Sequence, residues 1–174
     1  MSIHDEILDR HAQGMLHHIL PRARGATVRR ALFVTEGLHE VLTSPEGDLD
    51  WEERTAKLQA DLEVFVQAGT IAPKYLFLLY PAADAVWEIR STTDQPSIRV
   101  LGLFADTDVF IATNFALRET LGGWRSREWK TVKRVARAEW RKLFNTYEPL
   151  KGTDVHKFVT GAASGKFFKT PPRQ

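Results

Sequence analysis

Four arginines in or just beyond strand-like runs are the side chains whose type and spacing suit phosphate chemistry: Arg90, Arg99, Arg118 and Arg125. A guanidinium group presents a planar fork of donors, which binds two phosphate oxygens at once and stays charged at any physiological pH. Arg90 lies in VWEIRS (86–91) and Arg99 in SIRVLGLF (97–104). Because side chains alternate across a strand, both are predicted to project from one face of a sheet, the face away from the helices.

The same arginines also have a purely structural interpretation. Arg90 can pair with Glu88, two residues away, or with a carboxylate on a helix, and Arg99 can pair with Asp94, five residues away. An arginine neutralised by such an ion pair adds little beyond a weak surface contact. The sequence alone leaves both interpretations open.

A basic helix is predicted over SREWKTVKRVARAEWRKLF (126–144), directly after the strand-like runs. At helical spacing its apolar residues form one stripe: Trp129, Val132, Ala136, Trp140 and Leu143. Its cations form a second stripe: Arg127, Lys130, Arg134, Arg137 and Arg141. A helix that packs on a core needs a polar face on its other side, but packing does not require the positive and negative side chains of that face to be separated. This separation favours contact with a polyanion, and the alternative is a solvated basic surface that binds nothing.

The tryptophans of this region differ in their predicted environment. Trp129 and Trp140 lie on the apolar stripe and are predicted to be core residues. Trp124 follows Gly122 and Gly123 and is predicted to be exposed, where an aromatic ring stacks readily on a nucleobase.

Charge is distributed unevenly along the 174 residues. Residues 1–85 hold 8 Lys+Arg against 13 Asp+Glu, whereas residues 86–174 hold 16 against 9. This asymmetry indicates an anionic partner for the second half.

The chain has no cysteine, which excludes disulfides and thiolate chemistry, and neither a metal-ligand motif nor a phosphate-binding glycine loop appears, so no cofactor is predicted. No signal-peptide pattern or membrane-length apolar run is present, and a cytoplasmic protein is expected.

The pattern of elements predicts an α+β fold. A helix is predicted over 3–20, a first strand over 26–35 and a helix over 50–68 capped by Asp50, while 37–43 is ambiguous and 74–84 is a strand or a buried connector. The runs 86–91, 97–104 and 108–115 are predicted to form a three-strand meander, which joins the earlier strand in an antiparallel sheet, with helices 50–68 and 126–144 packed on one face. Three regions follow: a helical extension (1–25), an α+β domain (26–145) and a flexible basic tail (146–174), with one further strand considered around 155–160.

Residues 85–145 resemble the RelE/ParE toxin superfamily, and most closely its phage-derived HigB-like branch. Residues 86–90 match a family strand of the type LWELR, 98–104 match a strand of the type YRVLYFF, and 111–118 match the family's last strand and the basic residue after it. The resemblance extends more weakly over 26–145. The chain departs from the family in LRETLGGW (117–124), which has one basic residue where the family has several, and in its two extensions.

The resemblance implies a RelE-like sheet and the activity of a toxin from a toxin–antitoxin system. Such a toxin is an endoribonuclease that cleaves mRNA on the ribosome without a metal and is neutralised by an antitoxin protein. The resemblance implies that Arg90, Arg99 and Arg118 hold the scissile phosphate. Arg125 and the five cations of the helix stripe are then predicted to contact nucleic acid.

Metal-free RNA cleavage also needs a base for the 2′-hydroxyl and an acid for the leaving oxygen. Four histidines, at positions 4, 11, 17 and 18, lie on the predicted N-terminal helix, and His39 lies in the ambiguous segment. His156, with Tyr147, follows the basic helix, where nucleases of the family often place a functional tyrosine or histidine. The alternative to an enzyme is a non-catalytic, phage-derived protein of the same fold, which binds nucleic acid or a protein target through its basic helix.

Overall fold

A six-stranded mixed β-sheet forms the centre of the computed structural model, which describes residues 1–44, 47–91 and 97–170. Its strands are β1 (Leu16–His18), β2 (Ala31–Thr35), β3 (Leu76–Leu78), β4 (Trp87–Arg90), β5 (Ile98–Asp106) and β6 (Val109–Leu117). They lie in the order β1-β2-β6-β5-β4-β3. Neighbouring strands are antiparallel except β2 and β6, which are parallel, so the prediction of an antiparallel sheet is wrong for the earlier strand: it pairs with β6 in the same direction. The α+β class predicted from the sequence is therefore confirmed.

The described ranges also contain five α-helices: α1 (Ile3–Ala12), α2 (Glu36–Thr43), α3 (Leu49–Gln67), α4 (Arg118–Leu121) and α5 (Arg127–Leu143). Helix α5 begins as predicted, because the Ser126 hydroxyl accepts a hydrogen bond from the Trp129 N–H at 3.1 Å. The predicted cap of α3 is wrong, since Asp48 rather than Asp50 accepts from the Trp51 N–H, at 2.9 Å. None of the helices in these ranges is long and apolar enough to cross a bilayer.

The three runs predicted as strands pair with one another in chain order. Strand β5 lies between β4 and β6 and is antiparallel to both. Arg90 of β4 is directly opposite Arg99 of β5, so the two arginines share one face of the sheet, as predicted. The register between β5 and β6 shifts between Leu101 and Gly102, where Leu101 pairs with Asn114 and Gly102 pairs with Ala112. This bulge changes the face to which the second half of β6 directs its side chains.

Helices α3 and α5 cover opposite faces of the sheet, so the prediction that both pack on one face is wrong. On one face, Val100 and Phe104 of β5 join a core cluster that contains Leu62 of α3. On the other face, Leu101 joins a cluster that contains Trp140 of α5. The physical reason is that β5 is apolar on both sides, and each apolar face must be removed from water.

The N-terminal helix is shorter than the predicted 3–20. It ends at Ala12, and Gly14 follows with a φ of 75°, a left-handed conformation that breaks the helical path. The chain then enters β1, whose Leu16 pairs with Thr35 of β2. Both segments belong to the folded body, because Ile7 and Leu16 are buried in the cluster beneath α5.

The segment predicted as a flexible tail packs against the sheet over residues 146–170. A 3₁₀ turn at Val155–Lys157 replaces the strand considered there, and Phe158, Val159 and Phe167 are buried in the cluster beneath α3. Arg30 anchors this segment, because its side chain is buried and donates to the carbonyl oxygens of Ala68 and Thr160, each at 2.6 Å. The apolar residues of this segment are too sparse to give a periodic signal in the sequence, yet Phe158, Val159 and Phe167 are buried in the core.

Candidate functional site

A cavity of about 450 Å³ brings together three of the arginines predicted to bind phosphate. The sheet forms its floor through Glu88, Arg90 and Arg99, and Trp129 and Lys133 of α5 line it as well. The remaining lining comes from β3 and the residues after it, from the α4–α5 region and from the C-terminal segment: Phe77, Leu79, Tyr80, Arg118, Gly123, Trp124 and Lys169. The arginines therefore lie on the face covered by α5, and the prediction of a face away from the helices is wrong. We call this cavity the basic pocket.

Glu88 lies on the floor of the basic pocket between two guanidinium groups. Arg90 Nε donates to Glu88 Oε1 at 2.8 Å, which confirms the predicted structural pairing, and Arg99 Nε lies 3.7 Å from Oε2. The Glu88 side chain is 3% exposed, and Oε2 has no hydrogen-bond partner among the described residues. Asp94, the partner predicted for Arg99, lies outside the described residues. The carboxylate neutralises one of the two cations and orients both.

Two cations of the basic pocket are partly withdrawn from water. Burial lowers the pKa of Arg99, and the nearby Arg90 and Arg118 lower it further while Glu88 opposes them. Burial also lowers the pKa of Lys133. The Lys133 ammonium group donates to the Tyr80 carbonyl oxygen at 2.6 Å, which fixes its position at the wall. A bound anion would restore to both groups the electrostatic stabilisation that burial removes.

Exposed aromatic rings lie at the rim of the pocket. Trp124 and Tyr80 are each 45% exposed, and their rings meet edge to face with centroids 6.1 Å apart. The Arg125 guanidinium carbon lies 4.4 Å from the centroid of the Trp124 ring. The predicted exposure of Trp124 is confirmed, and so is the burial of Trp129 and Trp140, which are 6% and 3% exposed. Proteins that bind single-stranded nucleic acid combine cations, which contact the backbone, with exposed aromatic rings, on which bases stack.

The basic stripe of α5 is mostly exposed, as its sequence pattern predicted. Arg127, Lys130, Arg134 and Arg141 are exposed. Arg137 differs, because it is half-buried and its Nη1 lies 3.1 Å from Asp84 Oδ1. A second cavity of about 300 Å³ lies near the C-terminal end of α5 and is lined by residues that include Arg137, Arg141, Lys151, Asp84 and Glu148. Its carboxylates balance much of its positive charge.

The histidines considered as acids or bases lie elsewhere. His17 Nε2 lies 2.7 Å from Glu36 Oε2, and its ring stacks on His39 with centroids 3.7 Å apart. His4 contacts Asp106, and His156 is exposed on the 3₁₀ turn. Tyr147 donates its hydroxyl proton to the Met1 carbonyl oxygen. None of these side chains is among the residues that line the basic pocket.

Several residues that line the basic pocket were not predicted from the sequence. Lys133 falls at helical spacing between the apolar and basic stripes, and this boundary position was the signal that could have found it. Tyr80 and Phe77 lie in the segment left as a strand or connector, and only the pairing of β3 with β4 brings Phe77 opposite Glu88. Lys169 gave no signal, since it lies in the segment predicted to be a flexible tail.

Residues 1–44, 47–91 and 97–170 hold no group of three or more histidine, aspartate or glutamate side chains arranged to bind a metal ion. Comparison of the chain with protein-family models, with curated proteins and with solved structures finds no match. The resemblance to the RelE/ParE superfamily therefore remains a hypothesis that rests on the strand motifs alone.

Proposed function

We propose that this chain binds single-stranded nucleic acid, with RNA as its ligand, and that the basic pocket holds the phosphate. The observation that carries the proposal is the convergence of Arg90, Arg99 and Arg118, from three separate elements, beside the exposed ring of Trp124. Cations bind the backbone, and an exposed ring stacks on a base whatever its identity. The exposed cations of α5 extend the positive surface beyond the pocket.

Fluorescence anisotropy with a labelled 12-nucleotide RNA tests this proposal. The Arg118→Ala and Lys169→Ala variants remove exposed cations from the pocket, so we expect weaker binding and unchanged thermal unfolding. Arg24→Ala is the matched control, because Arg24 is exposed and is not among the pocket-lining residues. Single-stranded DNA and duplex RNA of the same sequence give the comparison ligands. Equal affinity of wild type, pocket variants and control for the RNA would contradict the proposal.

A second proposal is that the chain is a HigB- or RelE-like toxin that cleaves mRNA on the ribosome. Two observations favour it: the three arginines named by the family resemblance line one pocket, and Glu88 and Lys133 provide a carboxylate and an ammonium group beside them. In that reaction the arginines would stabilise the charge that develops on the phosphate. A cytoplasmic location and an antitoxin partner belong to the same proposal. Against it stands the burial of Glu88, whose carboxylate is already bound by Arg90.

Induced expression in a bacterium, with growth and mRNA cleavage as readouts, tests the toxin proposal. We expect growth arrest and cleavage of mRNA that depends on the ribosome. In the Arg118→Ala variant, cleavage should fall by roughly 10²–10³, the usual effect of losing one positioned donor. If wild type binds RNA but neither arrests growth nor cleaves mRNA, the non-catalytic binding function remains.

A further inference from the structure

We propose that the basic pocket recognises a terminal phosphate of a nucleotide, rather than the phosphodiester in the interior of a strand. The inference rests on the proposed nucleic-acid function and adds the chemical class of the group that enters the pocket. Two independent features of the pocket support it: its charge, and the contact between two aromatic rings at its rim.

The charge of the pocket exceeds what an internal phosphodiester would neutralise. Five cationic side chains and one carboxylate line it, which leaves four positive charges when all are ionised. An internal diester carries one negative charge, whereas a terminal phosphate carries close to two at neutral pH. A diphosphate carries more. The three cations without a carboxylate at salt-bridge distance among the described residues are Arg118, Lys133 and Lys169.

The rim of the pocket favours entry by the end of a chain. Tyr80 lies beyond β3 on one side, and Trp124 lies between α4 and α5 on the other. Their rings meet with centroids 6.1 Å apart, so the segment after β3 and the segment after α4 are in contact where both line the pocket. This contact narrows the path of a continuous strand, whereas a terminal nucleotide needs only one way in. The 450 Å³ volume is within the range of pockets that bind small ligands of nucleotide size.

Side-chain positions suggest how a terminal nucleotide would bind. The phosphate would contact Arg99, Arg118 and Lys133, where the two extra oxygens of a terminal group find donors that a diester leaves unused. The base would stack at the rim on Trp124, the exposed ring. The same chemistry is offered by a free nucleotide and by a phosphorylated RNA end, and the experiment separates these two sources.

The test uses the full chain and measures binding from the quenching of tryptophan fluorescence and, independently, by calorimetry. The probes are 5′-AMP, ADP and adenosine, together with one 12-nucleotide RNA prepared with hydroxyl ends, with a 5′-phosphate or with a 3′-phosphate. We expect one phosphorylated RNA to bind at least about tenfold more tightly than the hydroxyl form, as one additional charge-assisted contact provides. Arg118→Ala and Lys169→Ala should lose this preference, and Arg24→Ala, which is exposed and not among the pocket-lining residues, should keep it.

The outcomes separate the inference from the function on which it rests. Equal binding of all three RNAs would overturn the terminal-phosphate inference and leave the proposed RNA binding intact. Binding of none of the probes would overturn both. Binding of AMP or ADP, but not adenosine, at the affinity of the phosphorylated RNA would support the inference and identify a free nucleotide as a sufficient ligand.

Discussion

Glu88 gives the basic pocket a structural role in addition to the binding role that we propose for it. Its buried carboxylate is held by Arg90 at 2.8 Å and by Arg99 at 3.7 Å, so two residues predicted from sequence as phosphate ligands also neutralise a buried charge. The sequence placed Arg90 and Arg99 on one face because strand alternation requires it. It gave no measure of their burial, which depends on the cover that α5 provides.

Replacement of Arg99 by alanine is therefore expected to lower stability as well as binding. The Arg99 side chain is 16% exposed, and its loss leaves Glu88 Oε2 without a cation. The cost should be about 1–3 kcal/mol in the free energy of unfolding, measured by urea denaturation. The sequence-based expectation of an exposed Arg99 predicts almost no change. Glu88→Gln combined with Arg99→Ala removes the buried charge and should recover part of the loss; no difference between Arg99→Ala and wild type would contradict the ion pair.

The pKa of Lys133 gives the pocket a characteristic pH dependence. Burial lowers this pKa, Arg137 and Lys130 lower it further, and Asp84 opposes them. An anion binds the protonated ammonium, so affinity for a phosphorylated nucleotide should fall as the pH rises through the lowered pKa, below the ordinary value of 10.5. Lys133→Arg keeps its charge to higher pH and should bind with a flatter alkaline profile. Identical profiles for the two proteins, measured by anisotropy, would exclude Lys133 from the site.

Helix α5 shows which properties of an element follow from its sequence. Its bounds and its apolar stripe follow from helical periodicity, which is a local property. The sequence of α5 alone does not determine which face of the sheet the helix covers. That choice depends on β5 being apolar on both sides and on α3 occupying the opposite face. The pairing of Arg137 with Asp84 likewise joins positions 53 residues apart.

Charge reversal on the exposed part of α5 tests whether its stripe contacts the nucleic-acid backbone. The suitable pair is Arg134→Glu with Arg141→Glu, because both residues are exposed, whereas Arg137→Glu would place a second carboxylate beside Asp84. Binding to the 12-nucleotide RNA should weaken, and the slope of log affinity against log salt should fall by roughly 1–2, since each phosphate contact contributes about 0.7. Thermal unfolding should be unchanged. An unaltered slope would show that the stripe is only a solvated surface.

In the whole molecule, the two terminal segments that the sequence pattern predicted as extensions pack against the central sheet. Residues 1–25 and 146–174 were predicted to flank a central domain, because their composition differs from it. In the structure, Ile7 and Phe158 are buried in the two core clusters. Arg30 holds residues near Phe65 to the C-terminal segment, donating to the Phe65 carbonyl oxygen at 3.0 Å and to that of Thr160 at 2.6 Å. Long-range contacts of this kind leave no periodic trace in a sequence.

Phe158→Ala tests the integration of the C-terminal segment. Phe158 is fully buried, and its ring lies 4.7 Å from Trp87 and 5.3 Å from Phe104, measured between centroids. The substitution should lower the free energy of unfolding by roughly 3–5 kcal/mol, as large-to-small changes in a packed core do. Lys166→Ala, at an exposed position of the same segment, is the control and should unfold like wild type. A mobile tail would give equal midpoints for all three proteins in chemical denaturation.

The bond from Arg30 to Thr160 spans 130 residues, and β2 finds its parallel partner β6 only after most of the chain has been made. Contacts between residues so far apart in sequence slow folding, because closing a long loop costs conformational entropy before the contact contributes any stabilisation. Lys169 and Phe77, which both line the basic pocket, are also far apart in sequence. A nascent chain emerging from the ribosome thus carries the basic helix before it carries a finished pocket. Under the proposed function, the pocket can bind its ligand only after Lys169 has left the ribosome.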